Sequence, residues 1–215
     1  MANTSRTVFF LHGLGEGPEV WQPIIDRLPE GFTGVAPTLA GMRDADDIAF
    51  SMEEATHSIL READSRLLDN FDLCGLSLGA VVATQLAIAH GERIGKLAIS
   101  GGQVRPNPLL MRGQSLAMRA IPESRMPEGM SKRRLLDVLN VMSRVDLRSG
   151  IKNIDVPTLV MCGLRDRPNL PAARCLARSI AGARLELVGG AGHLWHAHMP
   201  QAFSGLLNAF LSRPT

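Results

Sequence analysis

A dominant charge is the first thing this sequence lacks. Its 23 Lys and Arg against 21 Asp and Glu leave a net +2, and neither end carries a basic arm or a run of like charges. Gripping nucleic acid needs a concentrated positive field, so nucleic acid is excluded as an implied partner and a small molecule fits better. Cysteine is scarce as well. Cys74, Cys162 and Cys175 are odd in number, far apart and without the paired spacing of a zinc site. That argues against a disulfide framework and a structural metal, and predicts reduced, buried thiols in a cytoplasmic protein. Long apolar runs are missing too. The stretch 8–11 can neither fill a signal-peptide core nor span a bilayer, and the residues before it are polar, so no membrane partner is expected.

What is present is enough for one large core. At 215 residues, 45% apolar and 20% charged, the chain predicts a single domain over 1–215. Short β-branched or apolar runs at 7–11, 34–36, 71–74, 96–100, 158–162 and 184–188 alternate with longer helical patterns at 20–28, 45–68, 78–90, 172–180 and after Pro200. Such alternation predicts βαβ crossovers and an α/β fold, a doubly wound, mainly parallel sheet of six strands.

The segment 103–150 breaks this rhythm. It has no strand pattern, holds five of the ten methionines (Met111, Met118, Met126, Met130, Met142) and carries nine basic against four acidic residues. The expectation is a helical insertion, a lid over the C-terminal edge of the sheet. Methionines would line an adaptable apolar pocket, and arginines at its mouth would attract an anionic part of the substrate. The alternative is that the arginines are solvated helix faces and the methionines ordinary core filler.

The strongest local signal is Gly75-Leu76-Ser77-Leu78-Gly79, directly after the apolar run 71–74 and directly before a small-residue helix. A serine held on a sharp strand-to-helix turn needs glycine two residues before and after it, because the backbone is strained and strand and helix pass too close for side chains. The turn lifts the hydroxyl above the sheet. It also aims the Leu78 N–H and the positive end of the helix at the place where an oxyanion would form. A second donor, the N–H of Leu14, is expected from His12-Gly13-Leu14-Gly15 after the first strand, where glycine lets the backbone come close.

Taken together, these features resemble the α/β-hydrolase superfamily, and within it the small serine esterases with an H-G-x-G loop. The resemblance runs through His12 to Gly15, Trp21, Gly75 to Gly79, the run 156–160 before Gly163, Asp166 and Gly192-His193, covering nearly the whole chain apart from 103–150. It implies a triad in the order Ser, Asp, His, with the acid after the penultimate strand and the histidine after the last. Elimination agrees on the acid. Asp166 follows the strand at 158–162, whereas Asp155 precedes it, Asp72 begins a strand, and only Gly101 and Gly102 follow the strand at 96–100. For the base, His193, His196 and His198 are candidates. His193 is favoured because the loop Gly189-Gly190-Ala191-Gly192 can bring its ring over Ser77, whereas His196 and His198 are expected to be surface or lid contacts.

The chain also departs from the family. Pro37-Thr38-Leu39-Ala40-Gly41-Met42 stands where relatives have an Asp-x-Pro-Gly-x-Gly turn, and only six residues precede the first strand, so a reduced, all-parallel sheet is expected. The expected activity is acyl transfer from a small carboxylic ester to water by Ser77, His193 and Asp166, with Leu14 and Leu78 N–H groups on the oxyanion and no metal or organic cofactor. Pocket candidates are His12, Gly13, Met111, Met118 and Met142. Thioester, amide or carbon–carbon bond hydrolysis would use the same residues, and so would cofactor-free perhydrolysis. A ligand receptor that keeps the pocket without turnover is the alternative from another class. An epoxide or haloalkane hydrolase is disfavoured, since it would want aspartate at Ser77.

Overall fold

A computed structural model describes residues 5–214, the side chains of 108–110 excepted. Six strands, β1 (Arg6–Leu11), β2 (Phe32–Val35), β3 (Phe71–Leu76), β4 (Ile94–Ser100), β5 (Thr158–Gly163) and β6 (Arg184–Val188), form one all-parallel sheet in the order β2-β1-β3-β4-β5-β6. Among the described residues eight α-helices accompany them: α1 (Gln22–Ile25), α2 (Met52–Ser65), α3 (Leu78–Ala89), α4 (Pro108–Ala120), α5 (Lys132–Met142), α6 (Leu170–Ser179), α7 (Trp195–His198) and α8 (Pro200–Leu211).

The two-residue period of a strand divides the core between the two faces of the sheet. In β1, Phe9 and Leu11 join the cluster under α2, α3, α5 and α6, whereas Val8 and Phe10 join the one under α1 and α8. Both faces are apolar because helices cover both, which is why these strands read as continuous hydrophobic runs. On the α1 and α8 side an aromatic group packs tightly: the Trp21 ring lies 5.2 Å from Phe10 and 5.6 Å from Phe203, and Trp195 lies 4.7 Å from Phe203. Burying each such ring is worth roughly 1.5–3 kcal/mol.

The helical pattern at 45–68 yields a shorter helix. It starts at Met52, where the Ser51 side chain accepts the Glu54 N–H at 3.0 Å. This Ser-x-x-Glu cap fixes the start and leaves residues before it in a turn, with Gly41 at φ +78° passing against the Phe50 backbone. The turn that replaces Asp-x-Pro-Gly-x-Gly docks Leu39 onto the loop after β1, its N–H meeting His12 Nε2 at 3.5 Å. The thiols also differ in part from expectation. Cys74 and Cys162 are buried, but Cys175 is exposed, on the solvent side of α6.

Segment 103–150 folds as α4 and α5. Leu135, Val138, Leu139 and Met142 of α5 are buried, whereas Leu116 of α4 is 70% exposed. Asp44 ties the segment to the body: its carboxylate accepts the Ser131 N–H at 2.6 Å and the Ser131 hydroxyl at 2.7 Å.

Candidate active site

Three strand ends meet at the C-terminal edge of the sheet. At the end of β3 the chain reverses into α3 through Ser77, whose φ of +53° and ψ of −115° are strained for a residue with a side chain. Strain of this kind costs about 1–3 kcal/mol and persists only where the surroundings enforce it. They do so here. A Cβ on Gly79 would lie 2.1 Å from the Leu11 carbonyl oxygen, and one on Gly75 would lie 2.5 Å from that of Gly79, so only glycine lets α3 approach β1 and β3. The Ser77 N–H still bonds the Ser100 carbonyl at 2.9 Å, extending the ladder through the turn.

The loops after β5 and β6 are joined by backbone hydrogen bonds, Leu164 N–H to Val188 O and Arg165 N–H to Ala191 O, both at 2.9 Å. This fixes Asp166 against His193, with Nδ1 2.8 Å from Oδ2. Asp166 is buried, and the His193 side chain is 36% exposed. The imidazole rests on the end of β4 at Gly101, where φ is +61° and a Cβ would lie 2.9 Å from Cε1 and 3.1 Å from Nδ1. Hydrogen bonding to Asp166 pushes the His193 pKa above its ordinary value, and partial burial opposes the shift. With Nδ1–H donated to the carboxylate, Nε2 is the free basic nitrogen.

Ser77 and His193 open into one cavity of about 390 Å³, lined also by Leu14, Leu78, Val81, Met111, Leu139 and Met142. Its polar lining comes from Gln103, Asn107, Gln114 and Asn169. Among the described residues, His193 is the only titratable base in that lining, and no arginine of 103–150 belongs to it. Three of those arginines are engaged elsewhere. Arg134 donates to the Ile48 and Asp46 carbonyls at 2.8 and 3.0 Å, and Arg105 and Arg148 both pair with Asp146.

Of the pocket candidates, Met111 and Met142 therefore share the cavity with Ser77, and Met118 packs half-buried against the core outside it. Gly13 backs the serine, since a Cβ there would lie 3.5 Å from the Ser77 Cβ. His12 is buried away from the serine and borders a separate cavity of about 550 Å³ behind the loop. Its Nδ1 donates to the Gly13 carbonyl at 2.9 Å and its Nε2 faces the Leu39 N–H, a pattern that requires the neutral ring; burial pushes its pKa down.

Two further groups at this edge escaped sequence reasoning. Glu16 accepts the Gly13 N–H at 3.0 Å and lies 3.4 Å from Nε2 of His196. His196 is thus buried behind the loop that follows β1, its ring 5.1 Å from Trp21, and is not the surface or lid contact expected; His198 is exposed. Burial works against the Glu16 charge, but His196 and the Gly13 N–H hold its carboxyl below the usual range. The other is Asn169, whose amide bonds both Asp166 oxygens at 2.9 Å.

Comparison with known proteins finds a matching family and relatives of the same fold. The model of the alpha/beta hydrolase family matches residues 8–206. The pimeloyl-[acyl-carrier protein] methyl ester esterase of Neisseria meningitidis serogroup C is 24% identical over 251 residues, covering 98% of this chain and 95% of that protein. Among solved structures, the enol-lactonase from Burkholderia xenovorans superposes with a TM-score of 0.88 at 21% identity, covering 97% of this chain and 92% of that one. An esterase from Exiguobacterium antarcticum gives 0.81 at 20% identity, covering 98% and 93%.

Proposed function

We propose that this chain, which belongs to the alpha/beta hydrolase family, is a serine hydrolase of small, neutral carboxylic esters working through an acyl-enzyme. The observation that carries this reading is the shared cavity: a serine on a strained turn and an imidazole bonded to a buried carboxylate face the same uncharged space. Nε2 of His193 takes the proton of Ser77 as Oγ attacks the ester carbonyl, and Asp166 holds the ring and stabilises the imidazolium. Leu14 and Leu78 both line the cavity, and the Leu78 N–H, in the first turn of α3, has no intrahelical carbonyl to reach. Their N–H groups bind the oxyanion. His193 then protonates the leaving alcohol, and water returns the free enzyme by the same steps.

The relatives support an ester or lactone carbonyl as the target, since one is called a methyl ester esterase and another an enol-lactonase. The uncharged lining favours a neutral substrate over the anionic one that an arginine-lined mouth would attract. A panel of p-nitrophenyl esters of increasing chain length, with intact-mass detection of the acyl-enzyme, tests the reading. Turnover and an acyl adduct are expected in the wild type and neither in Ser77→Ala, since removing the nucleophile of a comparable triad costs on the order of a million-fold. Retention of more than a few per cent of activity by the variant refutes the assignment, and saturable binding without turnover by the wild type indicates a receptor.

A further inference from the structure

Asn169 stands at the N-cap of α6, where asparagine ordinarily turns its side chain onto the first free N–H groups of its own helix. Here it makes no such cap bond. Its Nδ2 faces the active site instead, 2.9 Å from each Asp166 oxygen and 3.1 Å from Nδ1 of His193. Asp166 is an acceptor only, so the amide must present its NH2 group there, and Oδ1 must then find a donor. Gln103, two residues past Gly101 at the end of β4, supplies it through Nε2. The chain Gln103, Asn169, Asp166, His193 thus joins the ends of β4, β5 and β6.

We propose that Asn169, its amide oriented by Gln103, is a positioning residue that shares the Asp166 carboxylate with His193 and thereby limits how firmly that carboxylate holds a second proton on the imidazole. Two effects act in the same direction. Lone-pair density on Oδ2 that would answer the imidazolium is already engaged by the amide. The amide NH2 and Nδ1–H are both donors, so at 3.1 Å their positive ends repel, and more strongly once the ring is charged. The titratable groups facing His193 are Asp166, Glu16 from the loop after β1, and Ser77; both carboxylates favour the charged ring, and Asn169 opposes them. The inference rests on the reading of His193 as the base, which must be neutral to act.

The test follows the ring without turnover, so it succeeds or fails separately from the ester hydrolase reading. The His193 Cε1–H resonance, assigned with His193→Gln, is titrated by NMR in the wild type, Asn169→Leu and Gln103→Leu. The midpoint should rise by about half a unit to one unit in Asn169→Leu, and by less in Gln103→Leu, where the amide stays but loses its orientation. The acid limb of kcat/KM should move with it. An unmoved or lowered midpoint overturns the proposal, including the case where turnover falls with the midpoint unchanged, which marks a packing role alone. If Asn169→Leu does not fold, Gln103→Leu decides on the same terms.

Discussion

The C-terminal edge of the sheet and the α4–α5 segment are built by different physics. At the edge, Ser77, Asp166 and His193 sit on turns fixed by backbone hydrogen bonds and by glycines at 75, 79, 101 and 163 whose Cβ positions are already occupied. In the segment, position comes from apolar side chains of α5 and from surface contacts such as Asp44 with Ser131. Backbone constraint fixes the proposed reacting groups, whereas side-chain packing shapes the wall of the cavity. Under the proposed function, the same fold combines a backbone-constrained centre with a pocket walled by side chains.

The comparison is best broken at the edge first, where the effects should be largest. Asp166→Asn keeps the shape but removes the charge and the correct tautomer, and kcat should fall on the order of 10⁴-fold. The pH profile gives an independent check. As the proposed base, His193 would act as the neutral ring, and bonding to Asp166 raises its pKa above 6.5, so kcat/KM should climb with pH through a midpoint above that value. Without the Asp166 carboxylate, burial lowers the midpoint and only the weaker pull of Glu16 opposes it. Residual activity of Asp166→Asn should therefore extend to lower pH than in the wild type; an unchanged limb would place the base elsewhere.

Gly101→Ala comes next. The new methyl meets His193 Cε1 at 2.9 Å in a backbone conformation that alanine resists. Displacement of the ring by less than an ångström should reduce kcat/KM about a hundredfold while circular dichroism still reports a folded chain. Wild-type activity in a folded Gly101→Ala would mean that the ring has room the packing denies it.

This contrast also explains what could be read from the sequence. Gly75 to Gly79 and the strands were legible because a backbone constraint dictates residue type at fixed local spacing, and Asp166 and His193 because each follows a strand. Glu16 with His196, and Gln103 with Asn169, were not legible: each pair joins residues 180 and 66 positions apart that meet only in the folded chain. The start of α2 was recoverable from Ser51-Met52-Glu53-Glu54, a local cap pattern that the apolar periodicity overran. The expected cationic mouth came from counting charges, and counting does not say where a guanidinium points.

Within the pocket the effects should be smaller and selective. Met142 is buried beside the cavity, and Met142→Ala should cost about 2–5 kcal/mol of stability while enlarging the space available to an acyl chain. Preference should shift toward longer esters by roughly tenfold in kcat/KM ratio, with the rate on the shortest ester little changed. Equal loss on every chain length would show that the side chain serves the reacting centre rather than the wall.

The smallest effect tests whether the basic residues of 103–150 reach the substrate at all. The segment carries a net +5, a field that would draw an anionic substrate if it converged on the cavity mouth. Part of that charge is paired or turned away: Arg148 and Arg105 face Asp146, whose carboxyl pKa they hold down to about 2, Arg134 is turned onto the carbonyls of residues 46 and 48, and no arginine is among the described residues that line the cavity. Attraction that survives at a distance is screened as the Debye length falls from about 10 Å at 0.1 M salt to about 3 Å at 1 M. A neutral ester and a dicarboxylic half-ester of equal length should therefore show nearly the same salt dependence of kcat/KM, with the half-ester poorer throughout because its carboxylate enters an uncharged cavity. A selective fall for the half-ester as salt rises would put an arginine at the mouth after all and favour an anionic substrate.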